Sequence, residues 1–210
     1  GNNYADIKIF LQNQRSCAEF KKSLIELSQQ QAFTMPRIQP IGEDEEEALL
    51  IDDGLQILDN FAQKLFIMRK LYNWQIEQKK HASIALHNFK DLVALADSLI
   101  KLLNEFDKEM VPLNKIQNII PTTLSEYYQE ILDFLFEFQK NWLGFLKQEK
   151  KLSFVQKRNQ LIKQHINDLE HTNTPVIIAG TTGTMAMTRH LIKAISQYQY
   201  GYVILPIIDL

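Results

Sequence analysis

Three short runs along the chain carry the pattern of strands. Ile7–Leu11 alternates and is rich in β-forming residues. Val176–Ala179 is a continuous apolar run after Pro175, and Tyr202–Leu205 lies between Gly201 and Pro206. Uninterrupted apolar runs this short suit strands buried on both faces, as in a parallel sheet covered by helices. Helical periodicity follows the first two, over residues 15–30 and about 184–198. The last forty or so residues therefore spell strand, glycine-containing turn, amphipathic helix, strand: one βαβ crossover, for which a right-handed connection is nearly obligatory.

Between these pieces the period changes to three and four. Leu55, Leu58, Phe61, Ala62, Leu65, Met68 and Tyr72 form one apolar stripe, and Leu92, Leu95, Leu99, Leu102 and Phe106 a second. Leu124, Tyr127, Ile131, Leu135, Phe138, Trp142 and Phe145 form a third. Such faces are hidden only against one another. Capping boxes at Thr123-x-x-Glu126 and Ser153-x-x-Gln156 sign two helix starts, and Pro112 and Pro121 punctuate the loop before the third stripe. The expectation is an α/β core over residues 1–45 and 172–210, interrupted by an all-helical insertion over 46–171.

Composition narrows the class. Of 210 residues 45% are apolar, with 7 Gly and 6 Pro, which excludes collagen-like and disordered chains. No stretch approaches the roughly 18–20 uncharged apolar residues of a membrane-crossing helix. A single cysteine, Cys17, removes any disulfide framework within the chain and reads as a small buried hydrophobe. Gly1-Asn2-Asn3-Tyr4 lacks a cationic n-region, so secretion is not signalled and a cytoplasmic setting is expected. A net charge of −2 gives no global attraction to nucleic acid, so charge is read locally.

The turn Gly180-Thr181-Thr182-Gly183 sits between a buried strand and a helix, where open α/β sheets place their ligand crevice. It matches neither the dinucleotide fingerprint nor the P-loop: the glycines are three apart with no third, and no glycine is followed by lysine. The strand ends Ile178-Ala179-Gly180, without the carboxylate that holds Mg²⁺ in P-loop ATPases. Residues 43–59 contain Glu43, Asp44, Glu45, Glu46, Glu47, Asp52, Asp53 and Asp59 and no basic residue, a run that suits a divalent-metal or partner patch but more often a solvated loop or helix start. Lys147, Lys150, Lys151, Lys157, Arg158 and Lys163 oppose only Glu149 across 143–165, a strip suited to phosphates or to an exposed helix face. The histidine pairs 81/87 and 165/171 are six apart, unlike a zinc helix, and no nucleophile motif is present. No cofactor, metal or catalytic residue is expected.

Four separated segments together resemble a known family: Ile9–Ala18, Met35-Pro36-Arg37-Ile38-Gln39-Pro40-Ile41-Gly42 with its acidic follow-on, Pro175–Thr184, and Tyr202–Leu210. In this order and spacing they look like the N-terminal part of the alphaproteobacterial type of AddB, the double-strand-break repair helicase–nuclease subunit. Family members read Pro-Thr-Arg-Arg where this chain has Gln12-Asn13-Gln14-Arg15, and Leu-Pro-Gly-Leu-Asp where it has Leu205-Pro206-Ile207-Ile208-Asp209. The resemblance implies an inactivated superfamily 1 helicase region, with a RecA-like (P-loop NTPase-like) parallel-sheet core carrying a helical insertion. The strand and any Walker-A-like turn that open such a domain would precede residue 1. The family's nuclease domain lies far C-terminal and is not carried over. The implied partners are single-stranded DNA and an AddA-type helicase–nuclease subunit. The position equivalent to the DNA-contacting motif Ia falls on Gln14, Arg15 and Ser16, at a strand-to-helix turn with a guanidinium and helix N–H donors.

The nucleic-acid-binding candidates are therefore Gln14, Arg15, Ser16, Arg37, Lys150, Lys151, Lys157, Arg158, Thr181 and Thr182. Two other function classes stay open: a nucleotide- or NAD-binding domain using Gly180–Gly183, and a protein-docking module presenting the helical block.

Overall fold

The computed structural model describes residues 4–29, 32–43, 56–77, 88–112, 115 and 126–206. They divide into two compact units, residues 1–52 with 157–210 and residues 53–156.

The first unit is an α/β layer structure. Strands β1 (Lys8–Leu11), β2 (Arg37–Pro40), β5 (Val176–Ala179) and β6 (Gly201–Ile204) form an all-parallel sheet in the order β2-β1-β5-β6. Helix α1 (Gln14–Leu27) connects β1 to β2, and α6 (Ala186–Gln197) connects β5 to β6 in the opposite direction. The strand order thus reverses between β1 and β5, where Ile9 stands opposite Ile177 and Phe10 opposite Ile178. Alternation along each strand sends side chains to two cores. Phe10, Val176 and Ile178 pack with Met187, Leu191 and Ile195 of α6 and Ile162 of α5 (Phe154–Asp168). Ile9, Leu11 and Ile38 pack with Cys17 and Leu24 of α1. Two helices thus bury one face and one helix the other. On the α1 side, burial falls from β1 to β6, where Tyr202 and Ile204 are 57% and 59% exposed.

The second unit is helical. Helices α2 (Asn60–Glu77), α3 (Phe89–Glu109) and α4 (Glu126–Gln148) bury Ile67, Leu71, Ala96, Leu99, Leu103, Phe134, Phe138 and Trp142 in one core. Two-residue strands β3 (Gln56–Ile57) and β4 (Lys151–Leu152) pair in parallel. The Ser153–Gln156 box forms as expected: Ser153 N–H donates to Gln156 Oε1 at 3.2 Å, and Gln156 N–H donates to Ser153 Oγ at 3.1 Å. Ser153 Oγ and Gln156 Nε2 also donate to the Asp107 carboxylate, at 3.0 and 3.3 Å. Burial pushes that carboxyl above its ordinary value, and these two bonds pull the other way. Thr123 of the other box, Leu55, Leu124, Pro121, His81, His87, Asp209 and most of the acidic run lie outside the described residues.

The return to the sheet differs from the expected boundary at 172, because α5 from Lys157 onward belongs to the first unit. The reason is apolar: Ile162 is fully buried against the sheet and its α6 layer. Among the described residues, no helix is long and apolar enough to cross a membrane.

Candidate nucleic-acid interface

All four strands point the same way, so the β1–α1 and β5–α6 turns leave the same end of the sheet, about 5 Å apart at the ladder. This is the crevice at a strand-order reversal where open α/β sheets take ligands. On the β1 side, Asn13 caps α1: its Oδ1 accepts from Ser16 N–H at 2.9 Å and from Ser16 Oγ at 3.2 Å. An asparagine in this position contributes about 1 kcal/mol to the helix. Gln14 and Arg15 project from the first turn into solvent, with Arg15 Nε donating to Glu19 Oε1 at 3.0 Å. That pair is exposed at both ends, so the guanidinium is held loosely and stays accessible.

On the β5 side, Gly180 and Gly183 take positive φ (70° and 67°), which turns the chain sharply from strand to helix. Thr181 is buried, and its Oγ1 accepts from Gly183 N–H at 3.3 Å, while Thr182 is exposed. Arg189 Nη1 donates to the carbonyls of Gly183 and Thr184, at 3.2 and 3.1 Å. The loop is therefore fixed by its own chain. Met185, the N-cap of α6, makes no side-chain capping bond.

The structure brings Gln14, Arg15, Ser16, Thr181 and Thr182 to one end of the sheet. Arg37 is the first residue of β2, opposite Lys8, so it stands at the other end, roughly 10 Å along the strands. The basic strip of the sequence is also divided. Lys150 and Lys151 belong to the helical unit, whereas Lys157 and Arg158 belong to the α/β unit. Lys157 is only 8% exposed. Arg158 turns inward: its Nη2 donates to Thr188 Oγ1 at 3.3 Å, and its aliphatic stem lies against Gly42. Burial pulls the Arg158 guanidinium below its ordinary value, and the charge of Glu43 opposes that pull. Neither residue presents an open face to a phosphate backbone.

Sequence reading missed Asn13 and Arg189, which shape the two turns. An asparagine directly before a helical run was the available signal for the first. It also missed a polar cluster on the α5 side of the sheet. His165 Nδ1 lies 3.3 Å from Lys8 Nζ, and its Nε2 lies 3.2 Å from the Gln39 amide, with the Phe10 ring 5.0 Å away. Ammonium groups only donate, so Nδ1 accepts from Lys8 and Nε2 carries the ring proton, which the Gln39 amide accepts with its oxygen turned toward the ring. Burial first, and the Lys8 charge second, pull His165 down to about 3. Among the described residues, no group of three His, Cys, Asp or Glu side chains is placed to hold a metal ion. No protein-family model matches the chain, and no curated protein sequence matches it significantly.

Proposed function

We propose that the chain is a non-catalytic, RecA-like part of an inactivated superfamily 1 helicase subunit in double-strand-break repair. It handles single-stranded DNA and acts as scaffold for an active AddA-type helicase–nuclease partner. The observation that supports this most is the make-up of the crevice between β1 and β5. An Asn13-capped helix start with an accessible Arg15 faces a glycine–threonine turn, and neither turn carries a lysine or a carboxylate. The α1 N-terminus and the Arg15 guanidinium are the donors this reading assigns to a backbone phosphate. The resemblance through Gln14, Arg15 and Ser16 supplies the helicase context. Anisotropy of a labelled oligo-dT with the full chain tests the reading. Saturable binding at about 50 mM salt, weakened several-fold by Arg15→Glu, is expected. Absence of binding at that salt overturns it.

The uncapped start of α6 favours a second reading, a nucleotide phosphate at Gly180–Gly183. Millimolar ATP or NAD raises the melting temperature on that reading through mass action and leaves it unchanged on the first.

A further inference from the structure

The helical unit contains a groove that the sequence-derived candidates do not include. Two depressions along the seam of α2 and α4 adjoin at Lys70 and Asn141, which line both, and together they make up the trough. The larger, about 560 Å³, is lined by Arg69 and Lys70 from α2 and by Lys140 and Gly144 from α4. Its floor is the Phe66–Phe145 pair, stacked with ring centroids 4.0 Å apart at 20°. Lys70 Nζ lies 5.8 Å from the Phe66 centroid, so one cation already sits over the aromatic floor. Glu149 also lines this depression and Glu137 the smaller one, leaving three cations to two carboxylates.

Gly144 is the most informative residue there. It stands inside a 23-residue helix, where glycine is the costliest residue after proline. No heavy atom lies within 4 Å of where its Cβ would be, and its φ is helical, so neither packing nor backbone geometry calls for glycine. What glycine provides is an open wall beside the phenylalanine pair. Cations around a partly exposed aromatic platform, with Asn73, Asn141 and Gln148 amides along the trough, match how proteins hold single strands. A base packs against the exposed part of the phenylalanine pair and phosphates meet the cations.

We propose that the α2–α4 trough binds single-stranded nucleic acid, a site that rests on the nucleic-acid-handling reading but is separate from the β1–α1 turn. Lys147, two turns beyond Lys140 and exposed, extends the basic side toward Lys150 and Lys151.

The test uses the full chain with labelled oligo-dT and oligo-rU over a salt series. The variants are Arg69→Glu with Lys140→Glu, and separately Gly144→Leu. The charge-reversed double variant is expected to bind at least tenfold more weakly, with the slope of log affinity against log salt reduced by about 1.4 units for the two lost contacts. Gly144→Leu is expected to melt no lower than the parent and still to bind more weakly, because the new side chain fills the trough. Parental affinity in both variants, with the unmodified chain binding normally, overturns the trough and leaves the proposed function standing. An unmodified chain that does not bind either oligonucleotide overturns both.

Discussion

Replacing His165 by glutamine gives a direct reading of how the α/β core is held together. The imidazole is 2% exposed, wedged between the Lys8 ammonium, the Gln39 amide and the Phe10 ring. Asp168 Oδ2 is 4.0 Å from Nδ1, but its carboxylate is about half exposed and too well solvated to offset burial and Lys8. Folded His165 therefore stays neutral until about pH 3, whereas the unfolded chain takes up the proton near 6.5. Above pH 7 both states are neutral and the site adds no pH dependence. As pH falls below 6.5 the unfolded state binds the extra proton and stability drops by about 1.4 kcal/mol per pH unit. The loss is about 2 kcal/mol at pH 5 and approaches 4–5 kcal/mol near pH 3. His165→Gln keeps hydrogen-bonding capacity for Lys8 and Gln39 and removes the titration. The assay is hydrogen exchange of the Phe10 and Ile178 amides, which reports the α/β unit alone, at pH 8, 6.5 and 5 after correction for intrinsic rates. The parent is expected to lose about 2 kcal/mol between pH 8 and 5 relative to the variant. Equal pH dependence in the two proteins, or a folded His165 resonance titrating near 6.5, refutes the reasoning.

Other expectations follow from single contacts. Gly42→Ala places a Cβ 2.5 Å from Arg158 Cγ at a φ of +72°, and urea melts are expected to show a loss of about 2 kcal/mol. Ser153→Ala removes the α5 cap and one of the Asp107 bonds; a loss of 1–2 kcal/mol, roughly, and a further rise of the Asp107 pKa by NMR are expected. Leu191→Ala, fully buried between α6 and the sheet, is expected to cost about 3 kcal/mol in chemical denaturation. Tyr202→Lys, on the open side of β6, is expected to stay within about 0.5 kcal/mol of the parent.

The α/β framework was readable because its signals are local. β5 coincides with its apolar run, Ser153 and Gln156 cap α5 as their spacing implies, and the stripes on α3 and α4 face the helical core. The first stripe holds only in part: Phe61, Leu65 and Tyr72 are exposed, and α2 packs through Ile67 and Leu71 instead. β2 was not readable as a strand. Arg37-Ile38-Gln39-Pro40 contains one β-branched residue and a proline, and it is held in place as an edge strand by pairing with β1. The boundary at 157 was equally hidden: α5 carries Lys157, Arg158 and Lys163, the charges of a solvated helix, and only the tertiary contacts show which unit buries Ile162. The crevice residues were legible through the strand–turn–helix order. The inward turn of Arg158 and the separation of Arg37 from Arg15 depend on pairing that no local pattern encodes. The α2–α4 trough escaped because its cations are 70 positions apart in sequence and its marker, Gly144, is an unremarkable helical residue until its surroundings are known.

The central claim is single-strand binding without nucleotide fuel. Its most direct test is a titration of the full chain with oligo-dT across about 50–200 mM salt, with and without ATP and Mg²⁺. The account predicts an affinity that falls linearly with log salt and is the same in both series. No binding at the lowest salt, or an affinity that changes with ATP, contradicts it.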